Sequence, residues 1–114
     1  MIGRGVWRFQ AERLPLAQRT PPLPEDQLVA LNDLAIDFGP TSASVGRYAD
    51  EWRDFMQQPG DDFVGTSVSF TLDGDQVRLH PLYDQWGDRD EVVVPVALVQ
   101  ELLDQYRAWL ERRG

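Results

Sequence analysis

The stretch FVGTSVSFTLDGDQVRLHPLY, residues 63–83, decides the fold. Its first half is rich in β-branched and aromatic residues, which favour the pleated, half-buried surface of a sheet. We therefore expect one strand over residues 63–72. Alternation places five of its side chains on a shared face: Val64, Thr66, Val68, Phe70 and Leu72.

A hairpin is expected directly after this strand. The dipeptide Asp73-Gly74 tolerates the positive φ that a tight hairpin turn requires. Residues 76–83 then return as the antiparallel partner, with Val77 and Leu79 facing the core. After a loop, residues 91–94 add a neighbouring strand, so the sequence predicts an antiparallel meander.

Three segments with apolar residues at helical spacing flank this meander. They predict helices over residues 24–36, 44–57 and 96–112. The hydroxyl of Thr41 is one of several that can cap the second helix. This second helix has the clearest apolar stripe, formed by Val45, Tyr48, Ala49, Trp52, Phe55 and Met56.

The N-terminal part adds one more strand. Alternation around Trp7 predicts a strand over residues 5–14 that pairs at an edge of the sheet. We expect residues 1–4 to be flexible and residues 15–23, which are rich in proline, to form an extended connection. The chain is thus predicted to be a single α+β domain spanning residues 1–114. Its antiparallel sheet has three to four strands, the N-terminal strand plus the central meander. Two helices precede the hairpin, and one C-terminal helix packs on a sheet face.

Length and composition limit the possible functions. With 114 residues, 42% of them hydrophobic, the chain is sized for one core. The absence of cysteine excludes disulfides, thiolate zinc sites and a cysteine nucleophile. No apolar run approaches the roughly 18 residues of a membrane span, and the first residues lack a signal-peptide pattern. We therefore expect a cytoplasmic protein with no membrane partner.

The net charge of −8 is unevenly distributed. Residues 25–91 hold fifteen acidic residues against four arginines, whereas residues 1–24 carry a net charge of +3. An acidic surface repels phosphate backbones, which argues against nucleic-acid binding, and it makes a cationic protein the favoured partner. Acidity also serves solubility alone, so the charge by itself does not prove binding.

The sequence offers little for catalysis. His80 is the only histidine, so imidazoles cannot build a two-histidine metal site. Alternation places His80 on the outer face, where it is either a surface residue or a general base paired with Asp84 or Asp62. The acidic run at residues 84–91 does not match the spacing of a calcium loop. We predict no catalytic residue, no metal site and no cofactor.

Aromatic residues set among acidic ones indicate a recognition surface, because such anchors concentrate the binding energy of many interfaces. Trp86 has a second interpretation, in which its indole folds back to cover one end of the sheet. The candidate partner-binding residues are Tyr83, Asp84, Trp86, Asp88, Asp90, Asp61 and Asp62.

The stretch HPLYDQWGDRDEVVVP, residues 80–95, is followed by the amphipathic helix over residues 96–112. In this layout, and in its size, acidity and lack of cysteine, the chain resembles the small acidic immunity proteins of bacterial polymorphic toxin systems over about residues 24–112. The resemblance implies an inhibitor that masks a cationic partner.

Three hypotheses follow. The first is a non-enzymatic protein-binding module, a monomer or homodimer, that presents its acidic loops to a cationic groove such as the substrate channel of a nuclease. The second is a small hydrolase or ligand-binding domain that uses His80 and nearby aspartates. The third is a structural or oligomerisation domain, in which the stripe at Trp52, Phe55 and Met56, or the C-terminal helix, packs on another copy.

Overall fold

A computed structural model describes residues 5–10, 17–58, 62–65, 67–83, 85–87 and 90–113, with only the backbone of Asp62 and Arg113. The expected flexibility of residues 1–4 lies outside this range. Within it the chain forms β1 (Val6–Phe9), β2 (Ala17–Thr20), α1 (Glu25–Phe38), α2 (Ser42–Met56), β3 (Asp62–Val64), β4 (Val68–Asp73), β5 (Gln76–Pro81), β6 (Val92–Pro95) and α3 (Val96–Arg113). The predicted α+β class, with the C-terminal helix packed on a sheet, is confirmed.

The central meander is an antiparallel sheet in the order β3-β4-β5-β6. The β4–β5 hairpin places Phe70 opposite Leu79, and both side chains are buried. Its turn consists of Gly74 and Asp75, between the paired residues Asp73 and Gln76. Gly74 has φ of 63°, a left-handed conformation that glycine adopts at no steric cost. The predicted hairpin is therefore confirmed, but its turn is Gly74-Asp75 rather than Asp73-Gly74, and its second strand ends at Pro81 rather than at residue 83.

The single strand expected over residues 63–72 is wrong, because this segment folds back on itself as β3 and β4. The backbone N–H of Gly65 donates to the carbonyl of Val68 at 3.0 Å, which closes the reversal. Val64 therefore does not share the core face with Val68 and is 69% exposed. Thr66, expected on the same face, lies outside the described residues.

A carboxylate from α1 fixes this reversal. Asp37 accepts hydrogen bonds from the N–H of Ser67 at 3.0 Å and from the N–H of Val68 at 3.1 Å. A Cβ at Gly65 would lie 2.6 Å from an oxygen of that carboxylate, so the close approach requires glycine. A distant helix thus decides where the strand is interrupted.

The N-terminal strand also differs from its prediction. β1 pairs with β2 in a separate two-stranded sheet, with Trp7 opposite Arg19, rather than with the meander. The sequence of β2 contains no proline, because the prolines of the expected connection fall at residues 15, 21 and 22, outside the strand. Four consecutive residues therefore keep their N–H donors and are able to form a ladder. This small sheet packs against α1 and α3.

The core lies between the inner face of the meander and the three helices. Trp52 and Phe55 of α2 contact Phe70 with ring centroids 5.4 and 4.9 Å apart. Thr41 caps α2 in a reciprocal arrangement with Ser44, as the hydroxyl pattern predicts. None of the described helices is long and apolar enough to cross a membrane.

Candidate protein-binding surface

Helix α1 presents an apolar and acidic outer face. Val29 and Ile36 lie seven residues apart, hence on one side of the helix, and are 42% and 52% exposed. Asp33 lies between them on the same side. The helix carries four acidic residues (Glu25, Asp26, Asp33 and Asp37) and no basic one, so its side chains contribute only negative charge.

The loop after β5 lies next to this helix and is held by Gln85. The side-chain oxygen of Gln85 accepts from the N–H of Tyr83 at 2.8 Å, and its amide donates to the carbonyl of Ser67 at 2.8 Å. The N–H of Leu82 donates to the same carbonyl at 3.0 Å. The backbone at Tyr83 is therefore fixed, whereas its ring is 69% exposed.

Trp86 joins the loop to α1. Its indole is buried, and Nε1–H donates a hydrogen bond to the carboxylate of Asp33. Burial raises the pKa of Asp33; the bond from Trp86 opposes that shift, and the nearby charge of Asp37 adds to it. Trp86 also lines a cavity of about 300 Å³ together with Glu25, Asp26, Val29, Gln85 and Val92.

These contacts define what we call the Tyr83 surface: the exposed apolar side chains Val29, Ile36, Leu82 and Tyr83, with the carboxylates of Asp33 and Asp37 beside them. An exposed aromatic ring on a fixed backbone loses little entropy when it is buried by a partner. The carboxylates add electrostatic preference for a cationic partner. In the described part of the chain no group of three histidine, aspartate or glutamate side chains could hold a metal ion.

The predicted partner-binding residues fall into several places. Tyr83 is exposed on the surface just defined, whereas Trp86 is buried, with its indole bonded to Asp33 of α1. Asp90 lies beside His80, which its backbone carbonyl contacts. Asp62 contributes its backbone to β3. Asp61, Asp84 and Asp88 lie outside the described residues.

Sequence reasoning missed the contribution of α1. Val29 and Ile36 fall off the apolar stripe of Leu28, Leu31 and Leu34, and their own spacing of seven residues is the signal that marks a second apolar side of the helix. The pairing of Trp86 with Asp33 left no such signal, because the two residues are 53 positions apart.

His80 is half-buried on the outer face of β5, as alternation predicts. Its Nδ1 lies 3.3 Å from the carbonyl oxygen of Asp90. His80 lines neither of two further cavities. One, of about 460 Å³, lies between β1 and α3, and the other, of about 520 Å³, lies where α2 meets the start of α3. The two carboxylates expected as its partners, Asp84 and the side chain of Asp62, lie outside the described residues, so the role of His80 as a general base stays a hypothesis.

The apolar stripe of α2 is used within the chain. Trp52 and Phe55 are buried and Met56 is partly buried against the core. Trp52 and Phe55 therefore pack within the chain, whereas Met56 stays partly exposed.

A comparison with protein-family models, curated proteins and solved structures found no match to this chain.

Proposed function

We propose that this protein is a non-enzymatic binding module that inserts the Tyr83 surface into a cationic groove of a partner protein. The observation that carries the proposal is the exposed ring of Tyr83 on a backbone fixed by Gln85. Tyrosine is among the residue types enriched at interface hot spots, and charges near such an anchor set the preference for a partner.

The charge of the surface indicates the kind of partner. α1 contributes only acidic charges, and the loop that follows Tyr83 adds Asp84 and Asp88 in sequence. A groove that binds a polyanion, such as the substrate channel of a nuclease, has the complementary charge. The resemblance to immunity proteins points in the same direction, to an inhibitor that masks such an enzyme.

Affinity capture from the source cell lysate, at low and at high salt, tests the proposal. We expect a stoichiometric basic protein to be retained by the wild-type chain at low salt and released at high salt. Tyr83→Ala should weaken retention at least tenfold, because the anchor is lost. Glu25→Gln combined with Asp26→Asn should reduce the association rate and its salt dependence.

Two matched control variants test whether the loss of any exposed apolar side chain, or of any acidic charge, weakens binding. Val6→Ala removes a side chain of similar exposure, 63%, from β1. Asp104→Asn removes one exposed charge from α3. Both should bind like the wild type. If Tyr83→Ala and Val6→Ala bind equally well, or if the retained protein is acidic, the Tyr83 surface is not the binding site.

A further inference from the structure

The free edges of a β-sheet carry unpaired N–H and C=O groups that accept another strand unless something covers them. Both edges of the small sheet are covered by side chains. The N–H groups of Gly5 and Trp7 donate to Glu101 and Gln105 of α3, at 2.9 and 2.8 Å. On the other edge, Asn32 of α1 accepts from the N–H of Ala17 at 2.7 Å and donates to its carbonyl at 3.1 Å.

The β6 edge of the main sheet is also covered. Helix α1 packs alongside β6, and the side-chain amide of Gln27 donates to the carbonyl of Val93 at 3.2 Å. Pro95, two residues further along the same edge, has no N–H to offer. Three of the four sheet edges formed by the described residues are therefore partly or wholly blocked to another strand.

The fourth edge, at β3, is covered by none of the described residues. The N–H of Gly65 bonds to Val68 of β4, so alternation turns the N–H and C=O of Val64 away from β4. Among the described residues no group bonds to these atoms of Val64. The side chain of Val64 is 69% exposed, and the neighbouring Phe63 packs against the core. An added strand would find both a hydrogen-bonding edge and an apolar contact.

Acidic residues flank this β3 edge. Tyr48 and Phe55 of α2 lie against Phe63 of β3 with ring centroids 5.5 and 6.1 Å apart, and Glu51 adjoins both on the helix surface, so the flank that carries Glu51 lies on the side of β3. That flank carries Glu51 and Asp54 against Arg47, all exposed, and β3 itself contains Asp62. The net negative charge would repel a second copy placed edge to edge and would attract a basic strand.

We propose that an extended basic segment of the partner adds to the sheet as a strand antiparallel or parallel to β3. This inference rests on the proposed function, and it names the element of the partner that the module recognises. Main-chain bonds to Val64 supply the affinity, and alternating side chains of the added strand supply the selectivity. Basic residues of that strand lie against Glu51 and Asp54.

Panning a displayed library of random ten-residue peptides provides the probe. The wild-type chain is the target, and Val64→Pro is used for counter-selection. Proline removes the outward N–H, and it is tolerated at a sheet edge because that N–H takes no part in the β3–β4 ladder. Val64→Thr is the matched control, since it changes the side chain but keeps the N–H. We expect enriched peptides that alternate basic and β-branched residues. These should bind wild type and Val64→Thr at least tenfold more tightly than Val64→Pro.

Amide hydrogen exchange of the wild-type chain with the best enriched peptide gives a readout that needs no variant. Slowing of exchange at Val64 by tenfold or more supports strand addition. Protection confined to residues 82–87, or enriched peptides that do not distinguish Val64→Pro from Val64→Thr, overturns it. Failure to enrich any peptide also overturns it. None of these failures removes the proposed function, which depends on capture of a basic protein through Tyr83.

Discussion

The guanidinium of Arg19 on β2 lies 2.7 Å from the carboxylate of Glu101 on α3, and both side chains are almost wholly buried. The same carboxylate accepts hydrogen bonds from the indole Nε1–H of Trp7 at 2.8 Å and from the N–H of Gly5 at 2.9 Å. One side chain of the last helix therefore holds both strands of the small sheet.

Replacing Glu101 by glutamine should destabilise the fold by about 3 kcal/mol, because Arg19 is left as a buried charge without its counter-charge. Denaturant unfolding measures the loss. Glu111→Gln is the control: it removes an exposed carboxylate, 3.4 Å from Arg107, and should cost at most about 0.5 kcal/mol. Equal losses in the two variants would contradict the role of the buried pair.

The same carboxyl group should make the unfolding free energy of the protein depend on pH in the acid range. Burial alone would raise the pKa of Glu101, but the hydrogen bond from Arg19, with those from Gly5 and Trp7, brings it below its ordinary value of 4.5. A carboxyl whose pKa is lowered by folding stabilises the fold above its ordinary pKa, and this stabilisation is lost as the pH falls through the folded-state pKa. The difference in unfolding free energy between wild type and Glu101→Gln should therefore be constant near neutral pH and shrink below about pH 4.5. If the difference instead grew as the pH falls, folding would have to raise the pKa of Glu101 rather than lower it.

Substitutions at Trp86 and Tyr83 should have different effects: the first should lower stability, and the second should lower partner binding. Trp86→Ala removes a buried indole and should cost about 3–5 kcal/mol of unfolding free energy. Tyr83→Ala removes an exposed ring and should change stability by at most about 0.5 kcal/mol, while it weakens partner binding. Thermal unfolding of the two variants checks the first difference. A Tyr83→Ala protein that unfolds as easily as Trp86→Ala would show that the ring packs on the domain.

Asp37→Asn should loosen the reversal between β3 and β4. An asparagine keeps one acceptor oxygen, but its NH₂ group faces an N–H that was paired before, so we expect a loss of about 1–3 kcal/mol. Amide hydrogen exchange at Val68 should be faster in this variant than in the wild type. Asp50→Asn, which removes an exposed partner of Arg53, is the control and should leave that amide unchanged.

Tyr48→Phe should be neutral or stabilising. The hydroxyl of Tyr48 is buried, and none of the described residues pairs with it, so the wild-type protein carries the desolvation penalty of an unsatisfied group. Removing it should raise the unfolding free energy by up to about 1 kcal/mol. Val45→Ala, at a buried position on the same helix, is the contrasting control and should be destabilising. A loss of stability in Tyr48→Phe would indicate a partner for the hydroxyl.

The spacing of apolar residues was sufficient to predict those elements whose structure depends on residues close to one another in the sequence. The three helices, the β4–β5 hairpin and β6 follow from spacing and from Asp73-Gly74, because each buries the face that its own pattern marks. The end of β3 does not follow, since the residue that fixes it is Asp37, 30 positions away from Ser67. Strand propensity alone favours an uninterrupted strand through Gly65.

Polar contacts over long sequence distances explain the other differences. β2 depends on Asn32 and Glu101, which single-sequence patterns mark only as helix residues. Likewise, the acidity of the candidate surface was visible in the sequence, but the burial of Trp86 depends on Asp33, a partner from another element. Tyr83 was expected at the end of the strand over residues 76–83, whereas β5 ends at Pro81 and the ring of Tyr83 is exposed in the loop that follows.

The hydrogen bonds that Glu101 and Gln105 of α3 accept from β1 and the residue before it determine when, during synthesis, the chain can complete its fold. Their partners Gly5 and Trp7 precede them by 96 and 98 residues, so the first strand leaves the ribosome long before the helix that secures it. At synthesis rates of about 5–20 residues per second, the N-terminal hairpin waits roughly 5–20 s for its anchor. Asn32 of α1 can cover the edge at Ala17 early, but during that interval the β1 edge has no cover. A nascent chain would depend on chaperones, or on meeting neighbouring chains slowly, to avoid mispairing there.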